Sequence, residues 1–283
     1  MIRKAGMQDA GAIAAFLEGR IETSMFLLGN LEEHGTDNRD HPYGTAFFLR
    51  ETGEGITGVF GATNGGSLMC QLPGLSTTEA QTYAHLLKGY SMQAITGEAG
   101  QVAVLIDALP VPEDAWRLNQ VQPLYRRRLA GLVSHDTTRL VAPGDVDRLT
   151  DWFARYLEET QTAPPGDVTD AAQQRAEASV GAPHIRLLVE GGEPTAMAAM
   201  NAQAGTALQV GGVFVPPELR GMGRGGRVVA ALLAEAASNG AELAILFAAS
   251  PQAAQVYERI GFERCGDYRV AVLNRPVTLE NAT

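Results

Sequence analysis

Residues 210–233 constrain the fold most strongly, because this stretch changes from a strand pattern to a helix pattern across a run of glycines. Its first part, residues 210–215, is rich in β-branched and aromatic residues, which favour a strand. Pro216-Pro217 ends the strand, since proline lacks the N–H group that a sheet requires. Apolar residues then recur at helical spacing until Asn239-Gly240, a typical helix end.

The glycines between this strand and this helix predict an anion-binding site. A helix N-terminus carries unpaired N–H groups and the positive end of the helix dipole, and glycine lets a phosphate approach them closely. Three arginines, Arg220, Arg224 and Arg227, would add positive charge there, in a chain with a formal net charge of -10. The glycines are Gly221, Gly223, Gly225 and Gly226.

Two common phosphate-binding patterns fit this segment poorly. A P-loop requires a lysine after its second glycine, and the only lysines of the chain are Lys4 and Lys88. The dinucleotide fingerprint G-x-G-x-x-G is present, but residues 216–220 separate it from the strand. The next predicted strand, residues 243–248, has its acidic neighbour at the wrong end for a ribose contact. An NAD-dependent dehydrogenase therefore stays an alternative that the context does not favour.

A third pattern, Arg-x-x-Gly-x-Gly, follows a strand that ends Val-x-Pro. It closely resembles the acyl-CoA pyrophosphate loop of the GNAT superfamily of N-acetyltransferases. The resemblance implies acetyl-CoA as co-substrate, with its pyrophosphate on the backbone N–H groups of the loop and its pantetheine arm along the strand. The cofactor-binding residues that it implies are Val213, Phe214, Val215, Arg220, Gly221, Met222, Gly223, Arg224, Gly225, Gly226 and Ser250.

Residues 250–262 resemble the same family, whose members usually have Asn, then Tyr, then Gly-Phe at this spacing. Ser250 stands in place of the usual asparagine. We expect Ser250 to cap a short helix that Gly261 ends, which puts Tyr257 on that helix beside the cofactor strand. The resemblance implies Tyr257 as the general acid, because a phenol with a pKa near 10 can protonate a leaving thiolate.

Composition narrows the class of protein. A chain of 283 residues with 45% hydrophobic residues can form one large or two ordinary domains. The sequence has no evident signal peptide or membrane-spanning run, which predicts a cytoplasmic protein. Cys70 and Cys265 lack metal-binding spacing, so we expect no metal. A pI near 5.0 disfavours nucleic acid and anionic membranes as partners and suits an amine-bearing acceptor. Nothing in the sequence indicates an oligomeric state.

The same order of predicted elements occurs twice along the chain. Residues 3–17 line up with residues 139–153 at a constant offset, and in each a short strand leads to an aspartate N-cap and an amphipathic helix. This repeat, together with the family resemblance, predicts an α/β fold (mixed α+β) of two GNAT-like domains, residues 1–130 and 131–283. Each is expected to be a twisted mixed β-sheet flanked by helices, and the second sheet to splay open beside the loop strand.

The first half has no counterpart of the phosphate loop. Where the loop should stand, residues 72–79 contain one glycine and no arginine, and Glu79 would repel a phosphate at the helix start. We therefore predict that residues 1–130 form a degenerate GNAT-like domain without an acyl-CoA loop. Residues 121–129 are expected to be its closing strand.

The sequence thus predicts an acyl-CoA-dependent N-acetyltransferase that moves an acetyl group directly from acetyl-CoA to an amine. No general base is evident among His135, His184, Glu190 and Glu218, and the acceptor is not indicated. A longer acyl donor, an O-linked acceptor or aminoacyl transfer also fits. The alternative from another class is a non-catalytic acyl-CoA-binding sensor or pseudoenzyme, because Ser250 departs from the family motif.

Overall fold

The computed structural model describes residues 1–163 and 168–280. Its strands are β1 (Ile2–Lys4), β2 (Thr45–Thr52), β3 (Gly55–Thr63), β4 (Ser67–Gln71), β5 (Ser91–Glu98), β6 (Trp116–Arg128), β7 (Thr138–Arg139), β8 (Ile185–Glu190), β9 (Glu193–Ala204), β10 (Ala207–Phe214), β11 (Leu243–Phe247) and β12 (Glu263–Thr278). Its α-helices are α1 (Ala10–Glu18), α2 (Ile21–His34), α3 (Thr77–Leu86), α4 (Ala99–Ala108), α5 (Val146–Glu159), α6 (Val168–Ala178), α7 (Arg224–Ser238) and α8 (Pro251–Arg259). The sequence predicts that α6 begins at Asp167, which lies outside the described residues.

The chain divides into two compact units. Unit 1 comprises Met1–Gln122 and the described residues from Gly266 onward, and unit 2 comprises Pro123–Cys265. The predicted halves, residues 1–130 and 131–283, assign the segments around 123–130 and beyond 265 differently. They describe a repeat in the sequence, and that division stays a prediction. No helix in the described part of the chain is long and apolar enough to cross a membrane.

The sheet of unit 1 has the strand order β1-β2-β3-β4-β5-β12, in which β4 and β5 are parallel and the other neighbours are antiparallel. Phe60 of β3 lies in a core with buried residues of α3 and α4. The next residue, Gly61, faces Leu27 of α2. Because successive strand residues point to opposite faces, α2 covers one face of the sheet and the pair α3 and α4 the other.

The sheet of unit 2 has the order β7-β8-β9-β10-β11-β6, again with one parallel pair, here β10 and β11. Helices α7 and α8 share a core with Leu208 and Val210 of β10. Helices α5 and α6 share a second core with Phe214, whose ring centroid lies 6.1 Å from that of Trp152. Each unit is therefore a twisted mixed sheet between helices, as the sequence predicts.

The repeated strand-to-helix segment makes the same contacts in both units. Asp9 accepts two hydrogen bonds from the Arg3 guanidinium, at 2.7 and 2.8 Å, and one from the Gly6 N–H at 2.8 Å. Asp145 accepts the corresponding bonds from Arg139, at 2.5 and 2.8 Å, and from the Ala142 N–H at 2.8 Å. The sequence repeat is thus also a repeat of local structure.

The closing strands differ from the sequence-based prediction. Residues 124–128, expected to close the sheet of the first half, pair with β11 in unit 2. Residues 268–278, from the end of the second half, pair with β5 in unit 1. The prediction for residues 121–129 was therefore wrong about the partner, because strand pairing depends on contacts distant in sequence and not on the strand's own residues.

Candidate active site

The parallel strands β10 and β11 separate after a short paired region. Their paired residues are Ala207–Leu243, Leu208–Ala244 and Gln209–Ile245, whereas β10 continues to Phe214 beside β9. Backbone groups of β10 beyond Gln209 therefore have no strand partner on the β11 side. Such an open strand edge can bind an extended ligand through main-chain hydrogen bonds.

Two glycines shape β10 at the point where the strands separate. The register with β9 shifts between Gln209 and Val210 and again between Gly211 and Phe214, so the strand is bulged. A side chain at Gly211 would overlap the Asn201 amide, and Gly212 has a φ of 57°, in the left-handed region. The φ angle of Gly212 favours glycine, and the absence of a side chain at Gly211 leaves space for the Asn201 amide.

A cavity of about 510 Å³ lies in the opening between β10 and the start of α8. It is bounded by the bulged strand, the glycine loop, the C-terminal end of α5 and the first turns of α8. The predicted site residues that line it are Val213, Phe214, Val215, Arg220, Gly221, Gly223, Arg224, Gly225, Ser250 and Tyr257. The structure thus brings these residues, which are up to 44 positions apart in the sequence, to one cavity.

Two of the predicted cofactor-binding residues do not line this cavity. The Met222 side chain is 66% exposed to solvent. A side chain on Gly226 would lie 3.2 Å from methyl groups of Ile260 and Val256. Gly226 therefore allows α7 and α8 to pack closely, which is a structural reason for glycine at this position.

The loop before α7 presents backbone N–H donors that the described residues leave without an acceptor. Gly221 and Gly223 have φ angles of 88° and 70°, and Gly223 is the N-cap of α7 without a side-chain cap. The Arg227 N–H donates to the Gly223 carbonyl at 3.1 Å. Within the described residues, no hydrogen bond uses the N–H groups of residues 221–226. These donors form a site of the kind that binds phosphate.

The space around Gly225 indicates whether an acyl-CoA pyrophosphate would fit the site. A Cβ atom added at Gly225 would lie 3.6 Å from Val215 Cγ2 and 3.9 Å from Val213 Cγ1, which are ordinary contacts. Alanine would therefore fit at this position without a clash. Glycine destabilises a helix relative to alanine, so packing within the protein gives no reason for glycine here. Since Gly225 lines the cavity, its missing side chain leaves room for a ligand close to the backbone.

The arginines of the loop are paired with carboxylates. Arg220 donates to both carboxylate oxygens of Glu159 at 2.8 Å and to the Val215 carbonyl at 2.9 Å. Arg224 donates to Glu190 at 2.6 Å and to the Leu219 carbonyl at 2.6 Å. These acidic partners come from α5 and β8, far from the loop in sequence, so the local pattern did not indicate them.

Arg227 belongs to the same charge network but not to the cavity lining. Its guanidinium donates to Asp136 at 2.8 and 2.5 Å and also to Glu190. Hydrogen bonds from Arg224 and Arg227 hold the pKa of Glu190 below its ordinary value. Glu190 is therefore an ionised partner of two arginines, which disfavours it as a general base.

Tyr257 lies on α8, whose N-cap is Ser250 as predicted: the Ser250 hydroxyl accepts from the Ala253 N–H at 3.2 Å. The Tyr257 ring packs against Phe262 and the residue is 9% exposed. Burial raises the pKa of Tyr257, and the nearby Tyr156 raises it further. In the described part of the chain, the Tyr257 hydroxyl has no hydrogen-bond partner, so this neutral phenol is available as a proton donor.

Tyr156 also lines the cavity, although the sequence does not predict it as a site residue. Burial raises its pKa, while a hydrogen bond with the Gly212 backbone opposes that shift. Tyr156 lies next to the apolar stripe of α5, and an aromatic residue in such a position normally belongs to the core. No sequence signal separates it from a core residue. The other unpredicted lining residues are Glu159, Thr160, Val210, Gly211, Gly212, Phe247, Ala249, Gln252, Ala253 and Val256.

The candidate bases considered from sequence lie outside the cavity. Glu218 forms an ion pair with Arg155 at 2.9 Å, and hydrogen bonding to Arg155 lowers its pKa. Neither His135 nor His184 is among the lining residues. Glu159 is the carboxylate that lines the cavity, and it is held by Arg220.

The corresponding region of unit 1 is closed. Ser76 and Glu79 form a reciprocal capping box at the start of α3, which uses the N–H groups that a phosphate would need. Glu79 also pairs with the buried Arg50 at 3.1 Å. Strand β4 pairs with β5 from Ser67 to Cys70, almost its whole length. In α4, the residue seven positions after the N-cap is Leu105, where α8 has Tyr257.

Comparison with known proteins agrees with this geometry. The family model described as acetyltransferase (GNAT) domain matches residues 156–272. A GCN5-related N-acetyltransferase from Sphaerobacter thermophilus superposes with a TM-score of 0.55 at 15% identity, covering 100% of this chain and 96% of that one. One from Kribbella flavida gives 0.53 at 18% identity, with coverages of 90% and 94%. A Drosophila protein gives 0.59 at 13% identity, with coverages of 96% and 98%.

At these identities the structural likeness concerns the fold, and it extends over nearly the whole chain. No curated protein sequence matches the chain significantly. The family match is therefore carried by the second half, where the glycine loop and α8 lie. Residues 156–272 of this chain thus match the family described as acetyltransferase (GNAT) domain.

Proposed function

We propose that the protein is an acyl-CoA-dependent N-acetyltransferase that transfers the acetyl group of acetyl-CoA directly to an amine. The observation that carries this proposal is the cavity between β10 and α8, which ends at the unused N–H groups of residues 221–226. An acyl-CoA has the two matching parts, an extended pantetheine amide chain and a pyrophosphate.

The residues that would hold acetyl-CoA differ in what they supply. The open edge of β10 at Val213 and Phe214, together with the following residue Val215, would hydrogen-bond the pantetheine amides as a neighbouring strand does. The backbone from Gly221 to Gly226 would bind the pyrophosphate, including the N–H of Met222, an exposed residue that is not part of the cavity lining. Arg220 can exchange its Glu159 partner for a phosphate oxygen.

The transfer forms a C–N bond and breaks the C–S bond of the thioester. The amine must lose one proton, and the departing thiolate must gain one. Tyr257 can supply the second proton, because burial keeps its phenol neutral. A free alkylamine with a pKa of about 10.4 is neutral in only about one part in two thousand at pH 7, so desolvation of the amine in the cavity would favour the reactive form.

We further propose that the chain carries two GNAT-like domains and that the first, residues 1–130, has lost its acyl-CoA site. The capped start of α3, the Arg50–Glu79 pair and the closed β4–β5 pairing support this proposal. Leu105 in place of a tyrosine supports it too, since leucine cannot donate a proton. The first domain would then serve the fold or the acceptor side of the reaction.

The test is an assay of CoA thiol release from acetyl-CoA with a panel of primary amines, using the wild-type protein and the Tyr257→Phe variant. We expect turnover with at least one amine and a fall in kcat of about 10²–10⁴-fold in the variant, with an unchanged Kd for acetyl-CoA. Tyr43→Phe, a change at an exposed tyrosine of unit 1 that does not line the cavity, should leave kcat unaltered.

The second candidate is a non-catalytic acyl-CoA sensor. Two observations favour it: Ser250 uses its hydroxyl to cap α8, and none of the four candidate bases lines the cavity. A sensor would bind acetyl-CoA yet release no CoA thiol with any amine in the panel, and the Tyr257→Phe change would then have no turnover to reduce.

A further inference from the structure

Unit 1 contains a separate cavity of about 450 Å³ that the proposed reaction does not use. It lies where β2 begins and β3 ends, beside the turn between α3 and β5. Three cationic residues line it, Lys4, Arg39 and Lys88. This concentration of positive charge contrasts with the formal net charge of -10 of the chain.

The two lysines of this cavity are the only lysines in the protein. Lys4 ends β1 and Lys88 follows α3, so the fold brings them together from distant parts of the chain. Within the described residues, neither ammonium group has an ion-pair or hydrogen-bond partner, whereas the arginines around the unit 2 cavity are paired with carboxylates. Both lysines are exposed, so each ammonium group is accessible to a solute, and an anion held at this cavity would be attracted by both.

Arg39 adds a third positive charge that is only loosely held. Its Nε atom lies 3.4 Å from Asp37 Oδ1, and the two side chains are 81% and 66% exposed. Such a contact leaves the terminal guanidinium nitrogens free to donate. Asp37 also lines the cavity and opposes an anion, yet three cations against one carboxylate leave a positive balance.

The wall of the cavity is ordered by hydrogen bonds. The Asn64 side-chain amide donates to the backbone carbonyls of Asn38 and His41, at 3.0 and 2.8 Å. The Asn38 side-chain oxygen in turn accepts from the backbone N–H groups of Asp40 and His41, at 3.1 and 3.0 Å. These bonds tie the segment before β2 to the turn after β3, so less order must be created when a ligand binds.

We propose that this cavity binds a small polyanion, a molecule that carries two or more phosphate or carboxylate groups. Lys4 and Lys88 supply point charges for such groups, and Arg39 can donate two hydrogen bonds to one of them. The site is distinct from the acetyl-CoA cavity, since no residue lines both. It gives unit 1 a binding function of its own.

The test is calorimetric titration of the full chain with pyrophosphate and with citrate at constant ionic strength. The proteins are wild type, the double variant Lys4→Gln/Lys88→Gln, and the matched control Arg128→Gln/Arg275→Gln, which removes two exposed cations elsewhere. We expect a pyrophosphate or citrate site that weakens at least tenfold in the lysine variant and stays within twofold in the control. Binding of either anion at the unit 2 loop would persist in all three proteins, which distinguishes it from binding at the unit 1 cavity.

The charge-conserving variant Lys4→Arg/Lys88→Arg should retain the site, which excludes a folding defect as the cause of the loss. A response to pyrophosphate alone would indicate a phosphorylated ligand, and a response to citrate alone a polycarboxylate. The proposal is overturned if neither anion binds the wild type, or if the lysine variant binds as tightly as the control.

Discussion

Glu159 and Tyr156 lie within one turn of α5, both line the unit 2 cavity, and neither belongs to a family motif. The sequence indicated Ser250 and Tyr257 because capping and helix termination are local properties of residues 250–261. It could not indicate Glu159, whose partner Arg220 is 61 residues away. Residues of the site that act through neighbours in space are therefore the part that sequence reasoning missed.

The Glu159–Arg220 pair should compete with acetyl-CoA for the Arg220 guanidinium. Both side chains are nearly half exposed, and such pairs contribute about 0.2–1 kcal/mol, up to about fivefold in Kd. We expect Glu159→Gln to lower the calorimetric Kd for acetyl-CoA by up to about fivefold. Glu158→Gln, an equal change of charge at the adjacent exposed position, is the control. Weaker binding in Glu159→Gln would mean that the carboxylate assists the ligand.

Loss of the hydroxyl should affect the stability of the protein differently at the two tyrosines of the cavity. Tyr156 bonds to the Gly212 backbone, so Tyr156→Phe should lower the free energy of unfolding by about 1 kcal/mol. The Tyr257 hydroxyl has no hydrogen-bond partner among the described residues, so Tyr257→Phe should leave stability unchanged within about 0.5 kcal/mol or raise it. Urea unfolding of both variants measures this. A large stability loss in Tyr257→Phe would show that its hydroxyl has a structural role.

The glycine loop shows how much an element's sequence can specify. Its position between a strand and a helix, and its positive φ angles at Gly221 and Gly223, follow from the local pattern. The different roles of Gly225 and Gly226 do not follow from the local pattern. One lines the cavity and the other faces Ile260 and Val256, and only the packing of α7 on α8 separates them.

Gly225→Ala should make the protein more stable and less able to bind acetyl-CoA. Alanine is favoured over glycine in a helix by up to about 1 kcal/mol, and its Cβ meets only ordinary contacts here. The same atom would occupy space in the cavity, and we expect at least a tenfold rise in Kd. Gly223→Ala is the comparison, since a φ of 70° should cost alanine about 1–2 kcal/mol of stability. Unchanged acetyl-CoA binding in Gly225→Ala would place the pyrophosphate elsewhere.

At the scale of the whole molecule, the two units repeat one strand order, and the repeated Arg–Asp contacts at residues 3–9 and 139–145 reflect it. The sequence predicted this repeat because the matching residues determine local structure. It did not predict that residues 124–128 and 268–278 would each pair with a strand of the other half. Both segments read as strands, and the choice of partner depends on tertiary contacts.

Buried tyrosines in both units should make the protein sensitive to alkali. Burial raises the pKa of Tyr83 and Tyr268 in unit 1 and of Tyr257 in unit 2, above the value of about 10 in the unfolded chain. The folded state therefore keeps these protons longer, and stability falls as pH rises above about 10, by up to about 1.4 kcal/mol per pH unit for each tyrosine.

Urea unfolding at about pH 9 and about pH 10.5, with tyrosinate absorbance as a second signal, measures this loss. We expect the tyrosinate signal of these residues to appear with unfolding and not before it. Titration of all tyrosines in the folded protein near pH 10 would contradict the expected burial.

Calorimetric titration of the whole protein with acetyl-CoA tests whether the unit 2 loop holds one acetyl-CoA site. The Arg220→Glu variant and a titration with NAD are the controls. We predict one site that the substitution abolishes, no response to NAD, and a stabilisation of about 2.7 kcal/mol at a hundredfold excess over Kd. Two acetyl-CoA sites would contradict the proposal that the first domain has lost its acyl-CoA site. Binding of NAD would favour a dinucleotide-binding loop. Absence of acetyl-CoA binding would contradict the proposed acetyltransferase itself.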